Sequence, residues 1–243
     1  MTEVEVPEIY CGGPVKVLSG YRNVEDITKL TIPEGVEKWV SSGTNGVFKK
    51  LKYLVIPKSL TYYVTEENGK YTNEFTRLPA LETLEFAEGT KTIKVHGFYD
   101  LPALKTVRFP DSLRSIQPEA FLKCSKLESV MLPDDVSLDS SEASFYKKTR
   151  FIVKEGSKTA DYIHHGKWQW MYGRDRVDYL EPEEFDRRYA ELWGMEYTPT
   201  AAAETGSAIG TGSAGIVILF SVAIVFVGAC GFGFYRKKRV RNK

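Results

Sequence analysis

A repeat solenoid, mainly β with short helical or 3-10 turns, followed by one C-terminal transmembrane helix, is the architecture predicted by the 243-residue sequence. Three observations predict it. Leucines at 81, 104 and 127 open successive segments spaced by 23 residues, a period characteristic of stacked repeats. Prolines at 33, 57, 110 and 133 fall at one point of the unit, where a residue without an N–H ends a paired ladder. A run of 22 residues without charge, from Ala214 to Tyr235, stands near the C-terminus.

The clearest unit is LKTVRFPDSLRSIQPEAFLKCSK, Leu104 to Lys126. It reads as a short strand, a corner, a second extended piece and a short helical turn. Its apolar pattern, L-x-x-[L/V]-x-[F/I/L]-[P/A], is filled by Ile27, Leu30, Ile32 and Pro33, and then by Leu51, Leu54, Ile56 and Pro57. It recurs at Leu81, Leu84, Phe86 and Ala87, at Leu104, Val107, Phe109 and Pro110, and at Leu127, Val130, Leu132 and Pro133. Phe48, Phe75, Phe98, Phe121 and Phe145 close the units, and the segment from Phe151 reads as a last, shortened turn. Five full units exceed the minimum of about three that stacking requires.

The residues L-x-x-V-x-F-P-x-S-L-x-S-I-x-x-x-A-F-x-x-C of Leu104 to Lys126 resemble the BspA-like, or Treponema-type, leucine-rich repeat family. VKEGSKTADYI, Val153 to Ile163, resembles the way such arrays finish, and the similarity covers roughly Ile27 to Lys167. The resemblance implies a cell-surface protein of a bacterium or protist that attaches to host, matrix or microbial surfaces. It also places Cys124 at the F-x-x-C position of the repeat, as a small packed thiol.

Composition narrows the chemistry. The last eight residues, RKKRVRNK, hold 6 of the 33 Lys and Arg and none of the 32 Asp and Glu, leaving the body at −5. A mildly acidic body lacks the concentrated basic surface that nucleic acid requires. Three cysteines do not make a disulfide framework, and neighbouring His164 and His165 cannot share a helix face as ligands. Phosphate loop, nucleophile elbow and dinucleotide fingerprint are all missing. The reading is therefore no enzyme, no cofactor and no small-molecule substrate.

Residues 1–26 form an N-terminal lead or cap, with Val15 to Leu18 a candidate strand over the first repeat. This lead has no basic start followed by an apolar run, as a secretory signal would. The solenoid is assigned to 27–172, with Trp168, Trp170, Met171 and Tyr172 closing its end. Because side chains alternate along a strand, stacking creates two outward rows. One holds Lys29, Tyr53, Thr83, Thr106 and Ser129, and the other Thr31, Val55, Glu85, Arg108 and Met131. A solvated sheet face is the bland reading of these rows; Tyr53, Val55, Glu85, Arg108 and Met131 are the partner-binding candidates. The unit opened by Leu51 carries an insertion whose Asn68-Gly69 predicts a tight hairpin. Tyr62, Tyr63 and Tyr71 on it join the candidates.

Residues 173–195 are assigned to a capping or juxtamembrane helix, with Pro182, Glu183 and Glu184 suiting its start and Gly194 its end. Its stripe of Phe185, Tyr189, Leu192 and Trp193 is expected to dock on the solenoid end. A small-residue spacer, 196–213, leads to the transmembrane helix, 214–235. At about 1.5 Å per residue this run matches a hydrocarbon layer of about 30 Å. Arg236, Lys237, Lys238, Arg239 and Arg241 flank it in a basic tail, 236–243, which the positive-inside tendency holds in the cytoplasm. The sequence thus reads as a single-pass plasma-membrane protein with its repeats outside. Its expected partners are an extracellular protein or glycan ligand, and membrane lipid through residues 214–241. A receptor subunit signalling through a partner, or a tail-anchored intracellular scaffold, are the alternatives.

Overall fold

Each repeat begins with a leucine that sinks into the core and a strand whose inward residues follow it. In the computed structural model, the described residues are 3–5, 9–10, 13–18, 24–40, 48–61, 64–67, 70–73, 75, 78–138, 144–165 and 173–197. Along the chain the strands are β1 (Glu3–Glu5), β2 (Ile9–Tyr10), β3 (Gly13–Pro14), β4 (Val17–Leu18), β5 (Lys29–Thr31) and β6 (Lys38–Trp39). There follow β7 (Tyr53–Ile56), β8 (Val64–Glu67), β9 (Lys70–Asn73), β10 (Thr83–Phe86), β11 (Thr92–Ile93) and β12 (Thr106–Arg108). The chain continues with β13 (Ser115–Ile116), β14 (Ser129–Met131), β15 (Ser137–Leu138) and β16 (Arg150–Lys154). Helix α1 (Lys158–His165), a 3-10 turn, strand β17 (Val177–Leu180) and helix α2 (Pro182–Trp193) end the described chain.

Apart from the antiparallel pairs β2-β3 and β8-β9, the strands stack in parallel in two ladders. The long one runs β1-β5-β7-β10-β12 and continues beside it as β14-β16-β17. The second comprises the pair β4-β6 and the triple β11-β13-β15. Register follows the repeat: Leu30 faces Leu54, Leu54 faces Leu84, and Leu84 faces Val107. The leading residues Leu51, Leu81 and Leu104 are fully buried. Between the ladders lies a spine of rings. Phe75, Phe98, Phe121 and Phe145 stack with centroids 5.0, 5.6 and 5.2 Å apart. Phe86, Phe109 and Phe151 meet them edge-on, an arrangement that the ring quadrupole favours.

The corner after the first strand is held by a polar pin that the sequence pattern did not single out. Ser59 Oγ accepts the Gly35 N–H at 3.0 Å and donates to the Val36 carbonyl at 2.8 Å. One repeat pair later, Ser112 does the same with Gly89, at 2.7 Å, and Thr90, at 3.1 Å. At the end of the array Thr159 of α1 takes this role, accepting from Val136 at 2.8 Å and donating to Pro133 at 2.5 Å. These pins satisfy buried backbone groups where the ladders stop. Gly35 and Gly89 have φ of +96° and +94°, conformations that favour glycine.

Several expectations change. The N-terminal lead is an added coil: β1 pairs with β5 in the long ladder, and β4, lying in the expected Val15 to Leu18 strand, pairs with β6. The stretch 173–195 is not simply a helix, because β17 extends the ladder, with Phe151 facing Val177. The α2 helix forms as expected, with Pro182 in its first turn and Gly194 capping it at φ +67°. Its stripe docks on the outward side of the last strands of the coil, β14, β16 and β17. Its Phe185 and Tyr189 form a second small core with Met131, against which Ile152 and Leu180 also pack. Among the described residues no helix is long and apolar enough to cross a membrane. The expected span 214–235 and its flank Arg236, Lys237, Lys238, Arg239 and Arg241 lie outside them, as do Tyr62, Tyr63, Trp168, Trp170, Met171 and Tyr172.

Candidate partner-binding face

The outward rows form as the alternation requires. Lys29, Tyr53, Thr83 and Thr106 stand in register, and so do Thr31, Val55, Glu85 and Arg108. Three of the predicted residues come together. The Tyr53 hydroxyl donates to the Glu85 carboxylate, while Arg108 Nη1 donates to the Tyr53 oxygen at 2.6 Å and to Glu85 at 2.9 Å. Lys29 Nζ lies 5.3 Å from the centre of the Tyr53 ring, and the Arg108 guanidinium carbon 5.7 Å from it. Such placements favour a cation on the ring face. Burial, then the hydrogen bond to Glu85, push the Tyr53 pKa upward, so the phenol stays protonated and donates. The Nε–H of Arg108 is shut from solvent without an acceptor, leaving the network one acceptor short. Val55 stands half-buried beside these residues.

A flanking row alternates in charge. Glu82 reaches Lys52 at 3.0 Å and Lys105 at 2.8 Å. The hydrogen bonds from Lys105 and then Lys52 pull its pKa down to about 2.

The last predicted member of the rows is not part of an open face. Met131 is 7% exposed, covered by Phe185 and Tyr189 of α2. The sequence had put an apolar side chain at an outward position, and the chain's own helix buries it. Two polar anchors, absent from the candidate list, fix that helix. Lys154, on β16, pairs with Asp134 at 3.0 Å and Asp186 at 2.7 Å and lies 5.4 Å from the centre of the Phe185 ring. Burial opposes the Lys154 charge, but the two carboxylates outweigh it, and its pKa is raised. The Tyr189 hydroxyl donates to the Phe109 carbonyl. The signal for Lys154 was its outward position next to Phe151 and Val153, which are fully buried.

The insertion forms the expected hairpin. Strands β8 and β9 pair antiparallel, with Glu67 opposite Lys70 and Asn68-Gly69 between them. The register puts Tyr71 opposite Glu66. Elsewhere, the Cys124 thiol is fully buried, donates to the Phe98 carbonyl at 3.2 Å, and has its pKa pushed up by burial to about 12. It is a packing residue. Among the described residues no group of His, Cys, Asp and Glu is placed to hold a metal ion.

A coil of parallel strands with a pinned corner at a 23-residue spacing is the geometry of a leucine-rich repeat. Residues 70–163 match the model of the BspA type leucine-rich repeat region, in six copies. Residues 70–163 are BspA-type leucine-rich repeats. Two solved structures are similar. A leucine-rich repeat protein from Bacteroides ovatus is 18% identical, with a TM-score of 0.33, over 65% of this chain and 55% of that one. The pneumococcal vaccine antigen PcpA is 14% identical, with a TM-score of 0.27, over 63% of this chain and 72% of that one. The chain thus spans about half the length of the Bacteroides protein, as its 55% coverage records. No curated protein matches the chain. Leucine-rich repeat solenoids are typically binding scaffolds, and leucine-rich repeat proteins generally bind protein partners.

Proposed function

We propose that this chain is a membrane-anchored, extracellular BspA-type repeat protein that binds a protein or glycan partner in adhesion or host–microbe contact. The observation that carries the reading is the pre-organised cluster of Tyr53, Glu85, Arg108 and Lys29 on the outward rows of the long ladder. Tyrosine and arginine fixed in place lose little freedom on contact and are the residue types that dominate interface energetics. The hairpin β8–β9, whose second strand includes Tyr71, adds a second contact element. The 22 uncharged residues from Ala214 and the basic cluster after them supply the anchor and its orientation.

Protease treatment of intact cells tests the placement. Digestion of the repeats supports extracellular display, whereas protection overturns it in favour of the intracellular scaffold. A binding screen against matrix proteins and cell surfaces, repeated with Tyr53→Ala and Arg108→Ala, tests the face. Partners that bind both variants as well as the parent chain remove the cluster from the site.

A further inference from the structure

Helix α2 is fastened to the coil by a core of its own. Its stripe, Phe185 and Tyr189 with Leu192 and Trp193 beside them, closes over Met131, Ile152 and Leu180, and this small core is separate from the one that runs through the repeats. Two polar contacts reinforce it. Lys154 reaches from β16 to Asp186 of the helix at 2.7 Å while it holds Asp134 at 3.0 Å, and the Tyr189 hydroxyl donates to the Phe109 carbonyl. The ion pairs on the helix surface are internal to it: Arg187 pairs with Glu184 and with Glu191, both at 2.6 Å, and Arg188 pairs with Glu184. Such exposed pairs, one turn apart, support a helix weakly and fasten it to nothing else.

Chain order puts this helix in the path of any load. The coil precedes α2, and the spacer and the uncharged run from Ala214 follow it, so a pull between an engaged coil and the proposed anchor enters the folded chain at the C-terminal end of α2. The first contacts it meets are those of the small core, through Trp193, Leu192 and Tyr189. Local opening draws on the elements with the fewest buried contacts. An undocked helix of 12 residues does not persist in water, and its chain, about 18 Å long as a helix, reaches about 40 Å when extended. The pairing of β17 with β16, and the repeats behind it, are reached only afterwards. We propose that α2 is a load-released cover, which peels from the coil before any repeat opens and bares Met131, Ile152 and Leu180 as added apolar contact area. Exposed apolar patches of this kind mark contact sites, and the binding face is then larger under tension than at rest. The inference rests on the reading of the chain as an anchored, partner-binding coil and names a regulation of its face.

The test pulls the full chain, held in lipid bicelles, between handles at exposed Lys126 on the coil and at Ser207 in the spacer, each replaced by azidophenylalanine. A first, reversible lengthening of about 20–25 Å is expected below the force that opens the repeats, absent in Phe185→Ala and shifted to lower force in Lys154→Gln. With Cys11 and Cys230 blocked at rest, Met131→Cys should take up a maleimide about tenfold faster while the tether is held beyond that step, and Cys124, fully buried in the main core, should stay unlabelled. Two results overturn the proposal: a first step several times longer that also labels Cys124, because the coil then opens together with its cover, or a step of the expected length in which Met131→Cys stays protected. If the small step occurs but protease spares the repeats of intact cells, the surface reading falls; if the repeats are digested and the small step is missing, the cover alone falls.

Discussion

Replacing Phe185 by Ala should melt α2 while leaving the coil intact. Phe185 is 3% exposed and belongs to the small core with Met131 and Tyr189, which is separate from the main core of the repeats. Truncating a buried Phe costs about 3–5 kcal/mol in a core that cannot collapse, and at the low end this multiplies the opening equilibrium of the helix by about 10². A 12-residue helix is too short to persist in water once undocked, so undocking and unwinding coincide. Hydrogen exchange resolved by residue is the assay. Amides from Tyr189 to Gly194 should exchange about 10² faster, those of β10 and β12 should keep their rates, and the melting temperature of the repeats should hardly move. Equal deprotection of β10 and β12 would refute the reasoning, because it would make the two cores one cooperative unit. Unchanged exchange in α2 would refute it too, by showing that Phe185 does not hold the seat.

Three further outcomes are open to measurement. Phe121→Ala removes a fully buried ring that lies against Phe98, Phe109 and Phe145; a loss of about 3–5 kcal/mol and two urea transitions in place of one are expected, since neighbouring repeats couple only through their shared interface. Gly89→Ala puts a Cβ 2.5 Å from Lys58 Cδ at φ +94°, and should cost about 1–2 kcal/mol in chemical denaturation, a part of which Lys58→Ala restores. For Glu82, whose folded pKa is depressed to about 2 from the usual 4.5, the stabilising contribution is present above the unfolded value and is lost as pH falls from about 4.5 to about 2; carboxylate NMR titration should give the low midpoint, and Lys105→Met should raise it.

The strands of the coil were legible because each unit repeats two independent signals, the inward apolar alternation and the corner residue. Two strands of the ladder were nevertheless passed over. β17 is Val-Asp-Tyr-Leu, with Pro182 two residues on but no leading leucine before it, and β1 carries Val4, followed by Val6 and Pro7, at the spacing of Leu30, Ile32 and Pro33, again without a leading leucine. Pairing with β16 and β5 places these segments in the ladder. The serine pins were hidden for a different reason: P-K-S-L and P-D-S-L look like ordinary turns, and only the register shows each hydroxyl reaching the glycine of the preceding unit. The candidate face was legible in its rows but not in its extent. Met131 was read as a contact residue for a partner because it is apolar at an outward position; the same signal recurs at Ile152 and on the stripe of α2. Apolar residues at outward positions and an amphipathic helix in one chain satisfy each other before any partner arrives.

This self-satisfaction shapes what binding remains. With Met131 and Ile152 covered, the uncovered rows offer a few aromatic and aliphatic groups among paired charges, too little apolar area for tight one-to-one association by burial alone. The surplus has to come from pre-organisation, and the Tyr53–Glu85–Arg108 network already fixes the side chains that a partner would otherwise have to order. On the proposed membrane anchor, many copies share one surface, and each additional engagement is then intramolecular. On that reading, a modest face repeated across a membrane would hold a surface firmly while each single contact exchanges rapidly. Single-particle detachment measurements should accordingly give an attachment that collapses steeply as surface density falls, and attachment proportional to density would count against this mechanism.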